Sequence, residues 1–157
     1  MKILGIDPGT ATTGFGVVEK NSGKLNAIDY GVISTSKKLP MHLRLNIIFQ
    51  DLTELIKHHQ PDVIAVEKLF FVKNITTGIS VGQARGVVLL TAAQADLDLH
   101  EYTPLQVKQS VTGYGQAKKR QVQEMVQKIL KLDVLPTPDD AADALAIAIC
   151  ASSQTRL

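Results

Sequence analysis

Lys2-Ile3-Leu4-Gly5-Ile6-Asp7, the turn Pro8-Gly9-Thr10 and then Gly14-Phe15-Gly16-Val17-Val18-Glu19 form the stretch on which the fold turns. The first run reads as a buried strand, the second as a strand that returns beside it, and Asn21-Ser22-Gly23-Lys24 as a hairpin turn into a third strand ending near Ser34. Residues 41–59 then carry Leu45, Ile48, Phe49, Leu52, Leu55 and Ile56 at a helical period. Pro61-Asp62 opens a fourth strand, Val63 to Glu67, and residues 75–95 read as a helix despite Gly78, Gly82 and Gly86. A fifth strand is expected from Leu97 to Tyr102. Pro104 starts a short helix to about Val111. Residues 117–130 form a further helix, and Thr137-Pro138 begins the last one, to about residue 152. This order predicts an α/β fold with a mixed five-stranded sheet flanked by helices on both faces, in a single domain over 1–157.

Four acidic residues stand out within this frame. Asp7 ends the first apolar run and Glu67 ends Val63-Ile64-Ala65-Val66. Asp143 interrupts the apolar stretch from Ala141 to Cys150, with Asp139 and Asp140 just before it. A carboxylate beside buried positions is costly unless paired or bound to a cation, and no Lys or Arg lies within these runs. Acids at the ends of separate core elements therefore point to a divalent-metal site. Oxygen ligands favour Mg²⁺ or Mn²⁺ over zinc. Asp139 and Asp140 both suit the positive end of the last helix, with Thr137 as its expected cap. Either lies on the same helix face as Asp143, so spacing alone leaves the choice between them open. The glycines around Asp7 are expected to let backbone approach a ligand closely.

Charge is unevenly placed. The net charge is only +2, yet residues 68–131 hold nine basic and four acidic groups while 132–157 hold one basic and four acidic. A basic middle beside an acidic cluster suits a metal-dependent enzyme acting on a polyanion. His58 and His59 are expected to be solvated, and Cys150 to be a buried thiol in a reducing cytoplasm. Met1-Lys2 runs straight into a strand, so no signal peptide is expected, and the most apolar stretch is too polar to cross a membrane. Gly78, Gly82 and Gly86 recur every four residues on one helix face, which points to tight packing against the sheet or to a dimer contact.

The chain resembles the RuvC-type Holliday-junction resolvases from end to end. The resemblance rests on Gly5-Ile6-Asp7-Pro8-Gly9 with Thr13-Gly14-Phe15-Gly16, and on Val66-Glu67-Lys68-Leu69-Phe70 followed by Lys73-Asn74. It continues through Gly82-Gln83-Ala84-Arg85-Gly86, Gln106-Val107-Lys108-Gln109 and Lys119 before Gln121-Val122-Gln123. It closes on Asp140-Ala141-Ala142-Asp143-Ala144-Leu145-Ala146. It implies an RNase H-like fold and a homodimer that binds four-way junction DNA. It further implies two Mg²⁺ ions per subunit, for which Mn²⁺ can substitute, and cooperation with the RuvA and RuvB branch-migration proteins.

By the resemblance, the metal-binding acids are Asp7, Glu67, Asp140 and Asp143, leaving Asp139 as a helix-start acid. Lys108 and Lys119 are the basic residues near the scissile phosphate, and Phe70 is the aromatic at the junction. Lys73, Asn74, Arg85, Lys118 and Arg120 are the other expected DNA contacts. Three competing readings are a sugar-kinase or actin-like ATPase, a non-catalytic junction-binding protein, and an RNase H-like nuclease acting on RNA–DNA hybrids or in transposition. The first needs two lobes where this length supplies one, and the four acids argue against the second. The Phe70 and Lys108 segments favour the junction enzyme over the third.

Overall fold

Alternation along the first strand decides which way the sheet faces. The structure, a computed structural model, describes residues 1–68 and 74–154. Strand β1 (Lys2–Asp7) buries Leu4 and Ile6 on one face of the sheet and Ile3 on the other. It pairs antiparallel with β2 (Thr12–Asn21), which pairs antiparallel with β3 (Lys24–Ser34). Strands β4 (Val63–Glu67) and β5 (Asp98–Tyr102) add in parallel on the other side of β1, giving the order β3-β2-β1-β4-β5. The expected mixed five-stranded sheet is therefore present.

Helices α1 (Met41–His59) and α2 (Ile75–Gln94) cover one face. Ile48, Leu52, Ala84 and Val88 pack there with Leu4, Ile6, Ile64 and Val66. Helices α3 (Pro104–Thr112), α4 (Lys119–Leu130) and α5 (Asp139–Gln154) cover the other. Val107, Val122, Val126, Leu145 and Ile149 meet Ile3, Val18, Val63 and Ala65 on that side. The α3 start is closed reciprocally. Thr103 Oγ1 accepts from the Gln106 N–H at 3.2 Å, and Gln106 Oε1 accepts from the Thr103 N–H at 2.8 Å.

Two local expectations are corrected and a third is narrowed. Thr137 does not cap the last helix: α5 starts at Asp139, and the Pro138 carbonyl accepts from the N–H groups of Ala141 and Ala142. His59 is buried rather than solvated, because it turns inward to meet Asp29 at 3.0 Å, whereas His58 stays exposed. Of the two uses expected of the α2 glycines, packing against the sheet does not apply to Gly82 and Gly86: among the described residues, a Cβ on either would meet nothing within 4 Å. Cys150 is a free, buried thiol as expected, and burial pushes its pKa up.

Candidate metal centre

Strand parity places the first two acids together. Asp7 follows Ile3 and Gly5 on the α5 side of β1, and Glu67 follows Val63 and Ala65 on the same side of β4. The two strands are parallel neighbours, with Ile6 opposite Val66, so both carboxylates leave the sheet at adjacent C-terminal strand ends. Ligands in sheets with parallel strands are held at such ends.

The other two acids arrive on α5, and glycines let that helix come close. A Cβ on Gly14 would overlap the Asp140 carbonyl oxygen, and one on Gly5 would overlap the Ala144 carbonyl. At Gly16 it would lie 2.8 Å from a Leu145 methyl carbon. Gly5 and Gly16 are paired across β1 and β2, and Gly14 pairs with Asp7 itself. The sheet thus carries a groove without side chains, into which α5 settles with Ala141, Ala144 and Ala148 fully buried. The close approach expected of the glycines near Asp7 is therefore an approach to a helix, at Gly5, and to the turn's own Thr12 carbonyl, at Gly9.

Carboxylate oxygens of Asp7, Asp140 and Asp143 all lie within 4.8 Å of one another. Glu67 joins Asp7 and Asp143 in lining a cleft of about 210 Å³, with Lys108, Lys119, Pro104, Val107, Val122 and Ala146 as its other walls. Burial, then repulsion from Asp143, Glu67 and Asp140, pushes the Asp7 carboxyl up from 3.8 to about 8. Glu67 is raised by burial and by Asp143, against a lowering from Lys108. Asp143 is raised chiefly by burial, which outweighs the opposing pull of Lys119. Carboxylates this crowded call for a cation. Among the described residues, no His or Cys lines the cleft. The donor set is all oxygen and fits a hard divalent ion.

The other residues singled out from the sequence are distributed unevenly. Lys119 Nζ lies 3.1 Å from Asp139 and 3.4 Å from Asp143. Lys118 and Arg120 are exposed beside it at the start of α4, with Arg120 donating to Glu124 at 2.9 Å. Asn74 Oδ1 caps α2 by accepting from the N–H groups of Thr76 and Thr77 at 3.0 and 3.3 Å. Arg85, on α2, pairs with Glu101 of β5 and does not line the cleft. Phe70 and Lys73 lie outside the described residues. Sequence reading missed the role of Asp139, whose carboxylate is held by Lys119 and, at 2.8 Å, by the Gln123 amide. The roughly 20 residues between these partners leave no local pattern that would reveal the contact.

A pH-dependent prediction follows from the raised carboxyls. Asp7, Glu67 and Asp143 have folded values above their unfolded ones. Between the ordinary aspartate value of 3.8 and the Asp7 value of about 8, the ion-free folded protein therefore holds extra protons. Its stability falls as pH rises through that window. A cation must displace those protons, so the gain in melting temperature on replacing EDTA with Mg²⁺ should grow from about pH 5 to about pH 8. Paired melts across that range check it, and a pH-independent gain would refute it.

The comparisons with known proteins agree with this geometry. Residues 3–151 match the family model described as crossover junction endodeoxyribonuclease RuvC. A protein of that name from Thermosipho melanesiensis is 53% identical over 156 residues, covering 99% of each chain. Another from Syntrophomonas wolfei is 57% identical over 157 residues, covering 100% of this chain and 91% of that one. Among solved structures, RuvC of T. thermophilus in complex with Holliday junction substrate superposes with a TM-score of 0.89 at 35% identity, covering 97% of this chain and 93% of that one. With the mixed sheet, this likeness makes the fold RNase H-like. A family match over residues 3–151, relatives above half identity and a matching solved fold place this chain in the RuvC family of crossover junction endodeoxyribonucleases.

Proposed function

We propose that this protein resolves four-way DNA junctions by nicking two symmetric strands near the crossover, in a reaction that requires Mg²⁺. The observation that carries the reading is the carboxylate cluster of Asp7, Asp140 and Asp143, with Glu67 on the same cleft and two lysines facing it. Support comes from the T. thermophilus relative, whose structure holds a Holliday junction substrate. Asp7, Glu67, Asp140 and Asp143 would hold the ions. Asp7 stands among the other three and is the natural shared ligand of a pair. Bound there, divalent cations supply an activated water and stabilise the leaving oxygen of a phosphodiester.

The chain's own residues do the rest. Lys108 and Lys119 draw the scissile phosphate into the cleft and stabilise the negative charge that develops on its oxygens. Lys118 and Arg120 extend the positive surface along the DNA backbone. Phe70, three residues after Glu67, stacks on a base near the crossover. Cleavage leaves a 5′-phosphate and a 3′-hydroxyl, ends that a ligase can reseal in recombination and repair. RuvA and RuvB are the partners that the family resemblance supplies.

Paired nicks require two sites, and a two-fold dimer is the economical way to present them. Helix α2 carries a surface suited to a second copy. Ile75, Ile79, Gly82, Gly86 and Leu90 share one face, and its three large apolar side chains are 77%, 59% and 54% exposed. The two glycines between them leave room for another helix to come close. Ile79→Glu should convert the dimer to a monomer in sedimentation analysis, with little change in the monomer's melting temperature, because Ile79 is 59% exposed. An unchanged dimer would remove α2 from the interface.

The reading is tested by nicking of a synthetic mobile four-way junction with Mg²⁺, beside linear duplex, an RNA–DNA hybrid and an EDTA control. Religatable, symmetric nicks on the junction alone are expected. Cutting of the hybrid instead would overturn the assignment.

A further inference from the structure

The lysine of the cleft is held from two sides, and only one of its partners belongs to the carboxylate cluster. Lys119 Nζ sits 3.1 Å from Asp139 Oδ2 and 3.4 Å from Asp143 Oδ2. Asp143 shares the cluster with Asp7 and Asp140, whereas Asp139 stands outside it. Asp139 does not move freely. Its other oxygen, Oδ1, accepts from Gln123 Nε2 at 2.8 Å, and Gln123 lies one turn along α4 from Lys119. Gln123, Asp139, Lys119 and Asp143 thus form a chain from the outer surface of α4 to the carboxylate cluster.

An ammonium beside Asp143 occupies space and charge that a divalent cation needs. When the cation takes Asp143, the ammonium must give up that oxygen. Without a second acceptor it would swing into water and lose its place beside the scissile phosphate. Asp139 supplies that acceptor, and the Gln123 amide keeps the carboxylate aimed. We propose that Asp139 is a positioning residue, which with Gln123 retains the Lys119 ammonium at the edge of the cleft when a divalent cation displaces it from Asp143. The inference rests on the metal-site reading above and adds to it two residues outside the four acids. Lys119 is then a latch between two settings: bridging Asp139 and Asp143 when the cluster is empty, and held by Asp139 alone, ready for phosphate, when it is filled.

Mn²⁺ binding to the DNA-free protein tests this, read by calorimetry in a double-mutant cycle. Lys119→Met should tighten Mn²⁺ binding, because the competing ammonium is gone. Asp139→Asn should weaken it by about two- to fivefold while Lys119 is present, the range expected of one exposed ion pair. Removing a charge outside the cluster has a small direct effect on the cation, so in the Lys119→Met background the same change should fall below about 1.5-fold. Gln123→Leu alters no charge and should weaken binding in the same direction as Asp139→Asn. All three side chains lie on the surface or at the cleft edge, and melting temperatures serve as the folding control. An equal effect of Asp139→Asn in both backgrounds would show a general field and overturn the latch while leaving the metal site intact. Failure of the wild-type protein to bind Mn²⁺ at all would overturn both.

Discussion

Asp7→Asn should lower junction cleavage by about a thousandfold or more, yet raise the melting temperature of the protein in EDTA. The two effects have one cause. Asp7 is half-buried among three other acids, and burial with their repulsion raises its pKa from 3.8 to about 8, so the ion-free site tolerates its charge poorly. A carboxamide of the same shape removes that repulsion. It also removes a ligand of the proposed cation site, so cation binding and the activation of water should fail together. Junction binding should persist, because Lys108, Lys118, Lys119 and Arg120 remain in place. Single-turnover nicking, a mobility-shift assay and melts with and without Mg²⁺ measure the three quantities. A fall in EDTA melting temperature together with loss of binding would mean that Asp7 serves folding rather than chemistry.

Gly14→Ala should have the largest effect on stability, although it adds one methyl group. The new Cβ would overlap the Asp140 carbonyl oxygen, which is backbone and cannot rotate aside. Relief requires the first turn of α5 to lift from β2. That breaks the alanine–glycine packing and moves Asp140 and Asp143 away from Asp7. Overpacking against a rigid wall costs about 3 kcal/mol or more, equivalent to a drop of roughly 6–12 °C in melting temperature for a chain of this size. Mn²⁺ affinity should fall with it, since the cluster is assembled by that contact. A change of less than about 2 °C would show that α5 can slide along the sheet at little cost.

Much of this protein is legible without coordinates. The short apolar runs at residues 3–6 and 63–66 announce strands because a central strand covered on both faces is apolar at successive positions. The same regularity puts Asp7 and Glu67 at strand ends. The helical period of α1 and α4 marks helices, and Pro104 marks a helix start, through preferences that act over a few neighbouring positions. Asp143 is conspicuous because an acid inside an alanine-rich helix has no local partner. The expected Thr137 cap failed because α5 begins only at Asp139, with the Pro138 carbonyl accepting from Ala141 and Ala142.

The sequence by itself determined the elements, their order and the acids that needed an explanation, because each of these follows from near-neighbour spacing and from the cost of burying charge. The tertiary structure alone decided what the glycines were for and where the charges meet. Gly5, Gly14 and Gly16 face the backbone of a helix that begins more than 120 residues later in the chain, and Gly82 and Gly86 face open space among the described residues. His59 turned inward to Asp29, Arg85 to Glu101, and Asp139 to Lys119 and Gln123. Each of these pairings joins residues that only the packing of separate elements brings within hydrogen-bond distance, and no periodicity in the chain encodes a contact of that kind.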